Sequence, residues 1–254
     1  MSEIVVVTSS VGTLSGLTQA LKAIPVAVEE YPLITFAPLT DWTRVDAALD
    51  RVCSYSALAF TSPRAAEAVA KRIETRPGLC PGGHSKPTVW AGGQATAAAI
   101  RDALGAARIP EESDVGRWGA AAALARAMLD AGVGSPVLFL CGETHRDELP
   151  ERLRGGGIEV DEVVCYRSVL ASESAALSAA NRATVLVVSS PSVAALLADA
   201  CAPDARPDLV AVGPTTAAMA RDQGWPPAAV ASLPDVAAVT SAIQSVVAKR
   251  SMHE

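Results

Sequence analysis

AFTSPRAAEAV at residues 59–69 recurs, with the same order of residue types, as VVSSPSVAALL at residues 187–197. Each copy begins as a continuous apolar strand, turns at a hydroxyl residue and a proline, and continues as an alanine-rich helix. Continuous apolar strands are typical of a parallel sheet that helices cover on both faces. The repeat therefore predicts two copies of a strand–turn–helix unit from an α/β fold.

A second pair of matching segments follows these copies. Gly93 and Gly213 each stand three residues before a Thr-Ala pair, at 96–97 and 216–217. The distance from the turn serine to this threonine is 34 residues in the first copy and 26 in the second. The loop 76–87, which is rich in Gly and Pro, is a natural place for the eight extra residues.

A third match relates residues 8–28 to residues 142–160, because each segment contains a strand, a polar turn, a helix and a second strand. The first copy opens the chain, whereas the second copy follows the inner repeats. This rearranged order predicts two similar domains, with one inserted into the other. The outer domain would comprise residues 1–36 plus 168–254, and the inserted domain would comprise residues 38–166.

Apolar strands and Ala/Leu-rich helices alternate along the whole chain, which predicts two doubly wound parallel sheets of the α/β class. The predicted central strands are 4–8, 57–61, 88–92, 136–141, 184–189 and 209–213. The predicted helices are 64–73, 95–104, 120–131, 146–154, 193–200, 217–223 and 236–249. The two crossings, near 31–38 and 163–169, are extended and β-branched. We therefore expect a two-stranded hinge, with an active-site cleft between the domains.

The composition argues against several classes of partner. The 254 residues carry a net charge of −6, which disfavours nucleic acid and anionic membranes as partners. No apolar run is as long as a bilayer span, and the N-terminus lacks the basic start of a signal peptide. A cytoplasmic protein is therefore expected.

The residues that usually hold metals or carry familiar reactions are sparse. The five cysteines are widely spaced and form no Cys-x-x-Cys, and the three histidines are scattered. This pattern predicts reduced thiols and no metal site. The glycine-rich dinucleotide signature, the phosphate-binding P-loop and the Gly-x-Ser-x-Gly hydrolase motif are also missing from the sequence.

Small polar residues end six of the predicted strands, at 8–10, 61–63, 92–94, 141–143, 189–191 and 213–216. Ligands of open parallel sheets bind beyond the carboxyl ends of the strands, where free backbone N–H groups open each helix. The alternative for any single turn is ordinary helix capping by Ser or Thr, with Pro in the first helical position. For six turns in two facing domains, a shared ligand cleft is the better explanation.

These segments, taken together, resemble the uroporphyrinogen-III synthase family. The resemblance rests on the order and spacing of short motifs from about residue 4 to residue 247. The motifs are 31–34, 60–65, 91–97, 137–142, 149–160, 161–167, 188–192 and 212–217.

The resemblance implies a lyase of tetrapyrrole (haem) biosynthesis that cyclises hydroxymethylbilane to uroporphyrinogen III, with loss of water and inversion of ring D. It also implies that no metal or organic cofactor is needed. A monomer is expected, with a transient contact with hydroxymethylbilane synthase. The substrate carries eight carboxylates and the protein is acidic, so long-range electrostatic attraction cannot bring them together. The substrate must be recognised by local anion-binding groups, such as the backbone N–H groups of the turns.

The resemblance points to Tyr166 as the catalytic residue, which would give acid assistance to the leaving hydroxyl. The alternative is a half-buried tyrosine between the domains. A phenol is a weak acid, so the contribution would be modest. Thr96 and Thr216 occupy equivalent positions in the two domains, as do Ser62 and Ser190, and all four are candidate substrate contacts.

Arg64 and Arg146 stand at predicted helix starts, where a cation is unfavourable for the helix dipole, so a ligand-facing role is expected. The predicted substrate-binding residues are Thr8, Ser9, Ser62, Arg64, Gly93, Thr96, Gly142, Arg146, Ser190, Gly213, Thr215 and Thr216. Ser9 and Cys141 depart from the family, which often has arginine at these two places. A non-catalytic, cytoplasmic small-molecule binding or sensing protein of the same fold is therefore the alternative function.

Overall fold

The structure is a computed structural model that describes residues 3–10, 14, 16–75, 86–233 and 235–252. The chain forms two compact units. The outer unit comprises Met1–Thr35 and Val169–Glu254, and the inner unit comprises Phe36–Ser168. The inner unit is thus continuous in sequence and lies between the two parts of the outer unit.

Strands and helices alternate through both units. The strands are β1 (Glu3–Val7), β2 (Val26–Glu30), β3 (Ile34–Pro38), β4 (Ala57–Phe60), β5 (Thr88–Ala91), β6 (Val137–Gly142), β7 (Val160–Leu170), β8 (Val185–Val188), β9 (Asp208–Val212) and β10 (Ala229–Ala231). The helices are α1 (Leu17–Ala20), α2 (Thr43–Asp50), α3 (Pro63–Glu74), α4 (Gln94–Leu104), α5 (Glu112–Trp118), α6 (Ala120–Asp130), α7 (Glu148–Gly155), α8 (Glu173–Arg182), α9 (Pro191–Ala200), α10 (Pro214–Asp222) and α11 (Val236–Ser251).

Each unit has its own five-stranded sheet. The outer sheet has the order β10-β9-β8-β1-β2, and all of its neighbouring strands are parallel. The inner sheet has the order β3-β7-β6-β4-β5, and the pairs among β7, β6, β4 and β5 are parallel. The predicted fold class, two parallel-sheet α/β units with one inserted in the other, is confirmed. The boundaries between the units fall inside β3 and β7.

Burial explains why these segments form central strands. All residues of β8 are fully buried, and alternate side chains enter different cores. Leu186 and Val188 pack against α8 and α9 residues, whereas Val185 and Val187 pack against α11 residues on the other face. The sheet is therefore covered on both sides, which is why its sequence is continuously apolar.

The order of the strands reproduces the repeat that the sequence shows. In the outer sheet β9, β8, β1 and β2 are consecutive neighbours, and in the inner sheet β5, β4, β6 and β7 are. Hence β8 corresponds to β4, and β1 corresponds to β6. Most of the loop 76–87, which accommodates the eight extra residues of the inner copy, lies outside the described residues.

The predicted helix at 146–154 is wrong at its start. The helix α7 begins at Glu148, with Asp147 in the N-cap position. Arg146 therefore lies just before the helix, near the positive end of its dipole, and not in the first turn. Its exposed side chain lies in the loop that follows β6.

The prediction of five reduced thiols is also wrong. Cys141, Cys165 and Cys201 are free and buried, but Cys53 is disulfide-bonded. Disulfide bonds are uncommon in cytosolic proteins, so the cytoplasmic location stays a prediction that this bond does not support. Within the described part of the chain, no helix has the length and apolar character that crossing a membrane requires.

Candidate functional site

The predicted site residues of the outer unit lie together at the carboxyl edge of its sheet. The strands β9, β8 and β1 are neighbours, and each is followed by a turn that contains predicted residues. These are Thr8, Ser9, Ser190, Gly213, Thr215 and Thr216. The sheet order thus brings together three turns that are distant in sequence.

Thr8 and Ser9 use their hydroxyls to hold this edge together. Thr8 is 1% exposed, and its Oγ1 donates to the carbonyl oxygen of Val187 at 2.9 Å. The Oγ of Ser9 lies 2.7 Å from the Oγ of Ser189. Both side chains therefore have a structural role in this turn.

Ser62 and Ser190 occupy the N-cap positions of α3 and α9, each with Pro in the first helical turn. Neither serine makes a side-chain cap hydrogen bond. Ser190 instead contacts the Oγ of Ser192 at 2.8 Å. The helix-capping alternative is therefore wrong for both hydroxyls, and the first N–H groups of these helices are not satisfied by them.

Thr96 and Thr216 also occupy equivalent positions, as the sequence predicts. Each is the third residue of its helix, and each is buried, at 4% and 2% exposure. Their N-cap residues are Gly93 and Gly213, so the threonines are not caps. Neither hydroxyl makes a hydrogen bond to another described residue. Together with Thr8 and Ser9, they are the buried polar residues in the described part of the chain.

A β-bulge in the inner unit determines which face of the sheet the Tyr166 side chain lies on. Along β6 and β7, Cys141 is opposite Val164, but Gly142 is opposite Tyr166, so one residue of β7 is left over. Because side chains alternate between the two faces of a sheet, the extra residue reverses the face that Tyr166 joins. The half-buried ring therefore packs on the α3 side, and its hydroxyl lies 3.2 Å from the Oγ of Ser62.

Gly142 lies directly beneath the Tyr166 ring. A Cβ added at Gly142 would stand 2.5 Å from Cζ and 2.6 Å from the hydroxyl oxygen of Tyr166. A side chain at position 142 would fit only if the Tyr166 ring moved. The structure thus gives Gly142 a positioning role toward Tyr166, in addition to the substrate contact that the sequence suggests.

Phe36 and Arg64 complete the surroundings of Tyr166. The rings of Phe36 and Tyr166 meet edge to face, with centroids 5.6 Å apart. The Arg64 guanidinium carbon lies 3.9 Å from the centroid of Phe36. This arrangement holds a cation, an aromatic face and two hydroxyls at the same edge of the sheet. The sequence analysis missed Phe36, because nothing in its local pattern distinguishes it from a packing residue.

A charged cluster stabilises the loop after β6. His145 contacts the carbonyl oxygen of Gly142 through Nδ1 at 2.9 Å and Glu162 through Nε2 at 2.7 Å. Arg154 donates to the other carboxylate oxygen of Glu162 at 2.6 Å. Burial raises the pKa of Glu162, but the hydrogen bonds from His145 and Arg154 outweigh it and leave the pKa below its ordinary value.

The same cluster is the one group of described residues whose ligand atoms could surround a metal ion. One atom each of His145, Asp147 and Glu162 lies within 4.8 Å of the others. The carboxylate of Glu162 is already balanced by His145 and Arg154, so these contacts account for the cluster without a metal.

Cys141 is 1% exposed and its thiol donates to the carbonyl oxygen of Val163. Burial raises the pKa of this thiol to about 12. The side chain at this position faces the sheet core, packed with Phe139 and Leu149. The absence of an arginine here therefore removes no anion contact from the exposed edge.

Gly93 borders a cavity of about 550 Å³ at the turn between β5 and α4. The lining residues are Gly92, Gly93, Gln94, Ile109, Pro110, Glu111, Glu112 and Val115. Glu111 and Glu112 bring negative charge to this cavity, which opposes the favourable field of the α4 N-terminus. The turn at Gly93 is therefore a weaker anion site than its backbone alone would suggest.

Comparisons with known proteins agree with this architecture. A family model described as uroporphyrinogen-III synthase HemD matches residues 15–241. None of the curated proteins compared with the chain matches it significantly in sequence.

Solved structures share the fold along the whole chain. Uroporphyrinogen-III synthetase from Helicobacter pylori is 18% identical, with a TM-score of 0.60, over 97% of this chain and 100% of that chain. A mutant uroporphyrinogen III synthase from Thermus thermophilus is 14% identical, with a TM-score of 0.56, over 97% and 99% of the two chains. At these identities the likeness establishes the fold.

Proposed function

The chain belongs to the uroporphyrinogen-III synthase family, and we propose that it converts hydroxymethylbilane to uroporphyrinogen III. The observation that carries this proposal is the placement of Tyr166. Its hydroxyl is held beside Ser62 by the bulge in β7, by the close approach of Gly142 and by the ring of Phe36. A proton donor fixed at a sheet edge suits a reaction that begins with departure of a hydroxyl group.

In the proposed reaction, Tyr166 gives its proton to the terminal hydroxyl of the substrate, which leaves as water. The nitrogen of the pyrrole ring that carried this hydroxymethyl group loses its proton, which gives an azafulvene. The phenolate takes up a proton in return, so that the tyrosine is restored. The azafulvene is then attacked by the substituted carbon of ring D. The resulting spiro intermediate fragments and closes with ring D inverted. Ser62 would orient the phenol hydroxyl throughout.

Recognition of the carboxylates is proposed to rest on the turns at the sheet edges. Backbone N–H groups at the starts of α3, α9 and α10 supply donors without net charge, which suits a polyanion on a protein of net charge −6. Arg64 adds a cation that is already stacked on Phe36. We propose that turns of both units contact the substrate, with Ser62 and Thr96 contributed by the inner unit and Ser190 and Thr216 by the outer unit.

The test is product analysis with purified protein, a chelator and freshly generated hydroxymethylbilane. We expect mainly the type III isomer, because the proposed chemistry needs no added cofactor. Mainly type I isomer, the product of closure without inversion, would show that the chain is not a working synthase. It would then favour a binding protein of the same fold.

A further inference from the structure

Five arginines in the described part of the chain are half-buried, and three of them have polar partners that explain their burial. Arg72 pairs with Asp46, Arg250 pairs with Glu3 and Asp208, and Arg206 donates to the carbonyl oxygens of Ala198, Cys201, Gln223 and Gly224. The remaining two are Arg64 and Arg167. Neither makes an ion pair or a hydrogen bond with another described residue.

Arg167 is the more unusual of these two residues. Arg64 at least stacks on an aromatic ring, whereas the Nε of Arg167 is buried and has no hydrogen-bond partner. A guanidinium that is partly removed from water without a counter-ion is unfavourable, and this is why such groups are normally paired. The folded chain therefore holds a positive charge whose partner is not supplied by the described residues.

The position of Arg167 relates it to the candidate site. It follows Tyr166 on β7, just beyond the bulge, where the carbonyl oxygen of Tyr166 accepts from the N–H of Glu143. Successive side chains of a strand point to opposite faces. Tyr166 faces Ser62 and Arg64 on the α3 side, so Arg167 lies on the other face of the same strand end.

We infer that Arg167 binds a carboxylate of the substrate, on the opposite side of Tyr166 from Arg64. This inference rests on the proposed function, because it takes the ligand to be a polycarboxylate. A guanidinium binds a carboxylate through two parallel N–H···O bonds, which its two terminal nitrogens can donate. The chemistry also fits the substrate, whose pyrrole rings carry carboxylates on two adjacent side chains. Two cations, one on either side of Tyr166, would hold the substrate ring that carries the terminal hydroxymethyl group, with its departing hydroxyl near the phenol.

The test compares Arg167→Gln, Arg167→Lys and a matched control, Arg101→Gln. Arg101 is an exposed arginine of α4 in the same unit. Binding of uroporphyrinogen III is measured by calorimetry under anaerobic conditions. We expect Arg167→Gln to raise the Kd about tenfold or more, because a hydrogen-bonded charge pair is lost. Arg167→Lys keeps the charge without the planar geometry and should recover part of the affinity, and Arg101→Gln should change the Kd less than about twofold.

Thermal unfolding separates this role from a structural one. If Arg167 binds a ligand and has no structural role, Arg167→Gln keeps or raises the Tm of the free protein, because a partly buried charge without a partner among the described residues is removed. A lowered Tm together with an unchanged Kd would overturn the inference and make Arg167 a structural residue.

The outcome is also independent of the catalytic proposal. Loss of uroporphyrinogen III binding in Arg167→Gln supports the carboxylate site even if the wild-type chain produces only the type I isomer. Conversely, a wild-type chain that produces the type III isomer, with equal Kd for wild type and Arg167→Gln, upholds the function and refutes the site.

Discussion

The outer and inner units share the order of four strands but differ in the residues at the carboxyl ends of those strands. In the outer unit the edge includes hydroxyls that bond to each other or to the backbone, such as Thr8 to Val187 and Ser9 to Ser189. In the inner unit the corresponding edge carries the Phe36–Tyr166 pair and two arginines, Arg64 and Arg167, that make no ion pair or hydrogen bond with another described residue. The half-buried arginines of the outer unit, Arg206 and Arg250, are paired.

The difference is concentrated at one pair of corresponding positions. Where β1 ends at Thr8, whose side chain ties the strand to its neighbour, β6 ends at Gly142, which has no side chain and admits the Tyr166 ring. In one copy of the repeat the strand end is thus tied to its neighbour by a hydrogen bond, and in the other the same position leaves room for an aromatic ring. Under the proposed function, we therefore expect the outer unit mainly to anchor the substrate and the inner unit to carry the chemistry.

The largest effect is expected at Gly142. Gly142→Ala places a Cβ within 2.5 Å of the Tyr166 ring, so the ring must move. We expect a loss of about 1–3 kcal/mol in the free energy of unfolding, measured with urea, as for other overpacked sites. Turnover should fall as well, because the phenol leaves Ser62.

Gly93→Ala is the matched control for Gly142→Ala. Gly93 has an extended φ of 174°, and no heavy atom lies within 4 Å of an added Cβ. Its stability should change by less than about 0.5 kcal/mol. Equal stabilities of the two alanine variants would show that Gly142 is not needed to make room for Tyr166.

The next effect concerns the phenol hydroxyl itself. Tyr166→Phe should lower kcat about tenfold, or roughly 1.4 kcal/mol, while weakening uroporphyrinogen III binding less, because the lost bond acts on the departing hydroxyl. Tyr55→Phe is the control, since Tyr55 donates to Asp161 and should affect stability without affecting kcat. Unchanged kcat in folded Tyr166→Phe would return Tyr166 to a packing role.

A smaller effect should separate two kinds of buried threonine. Thr8→Val removes a hydroxyl that donates to Val187, so unfolding free energy should fall by about 1 kcal/mol. Thr96→Val removes a hydroxyl without such a bond, so stability should hold while uroporphyrinogen III binding weakens by about 1 kcal/mol. The opposite result, with Thr96 needed for stability and Thr8 for binding, would contradict the roles inferred from the hydrogen bonding of the two threonines.

The smallest effect is a pH dependence at Glu162. Its folded-state pKa is lowered, so the stabilisation from its ionised form is present above the ordinary value of 4.5 and is lost as pH falls through the lowered value. Glu162→Gln should therefore be less stable than wild type at neutral pH, and the two should converge below that window. Thermal unfolding of both proteins at several pH values between 3 and 7 measures this. A stability difference that does not change with pH would show that the pairing with His145 and Arg154 contributes nothing through charge.

Sequence reasoning predicted the features that depend on local pattern. The six central strands, the repeat and the equivalence of Thr96 with Thr216 follow from runs of apolar residues and from the spacing of turn residues, which sheet burial imposes directly. The role of the Ser62 and Ser190 hydroxyls could not be predicted in this way. Ser-Pro at a helix start is compatible with helix capping whether or not the cap hydrogen bond forms.

The features that depend on pairing between distant segments could not be predicted in this way. The bulge in β7 is a mismatch between two strands, and neither strand shows it alone. The approach of Phe36 to Tyr166 joins residues 130 positions apart. The isolation of Arg167 is a property of everything around it, and its sequence neighbours do not reveal it.

The insertion of one unit in the other also sets the order in which the protein can be assembled during synthesis. The inner unit is complete once Ser168 has been made, but β1 needs β8, and the N–H of Ile4 bonds to a side chain 180 residues later. At about 5–20 residues per second, β1 waits roughly 10–40 seconds for this partner, with an edge open to other strands. Folding of the inner unit pairs β3 with β7 and brings Thr35 to Val169, which shortens the loop that the outer unit must close. The inner unit, which contains Tyr166, can therefore fold first and hold together the two parts of the chain from which the outer unit is completed.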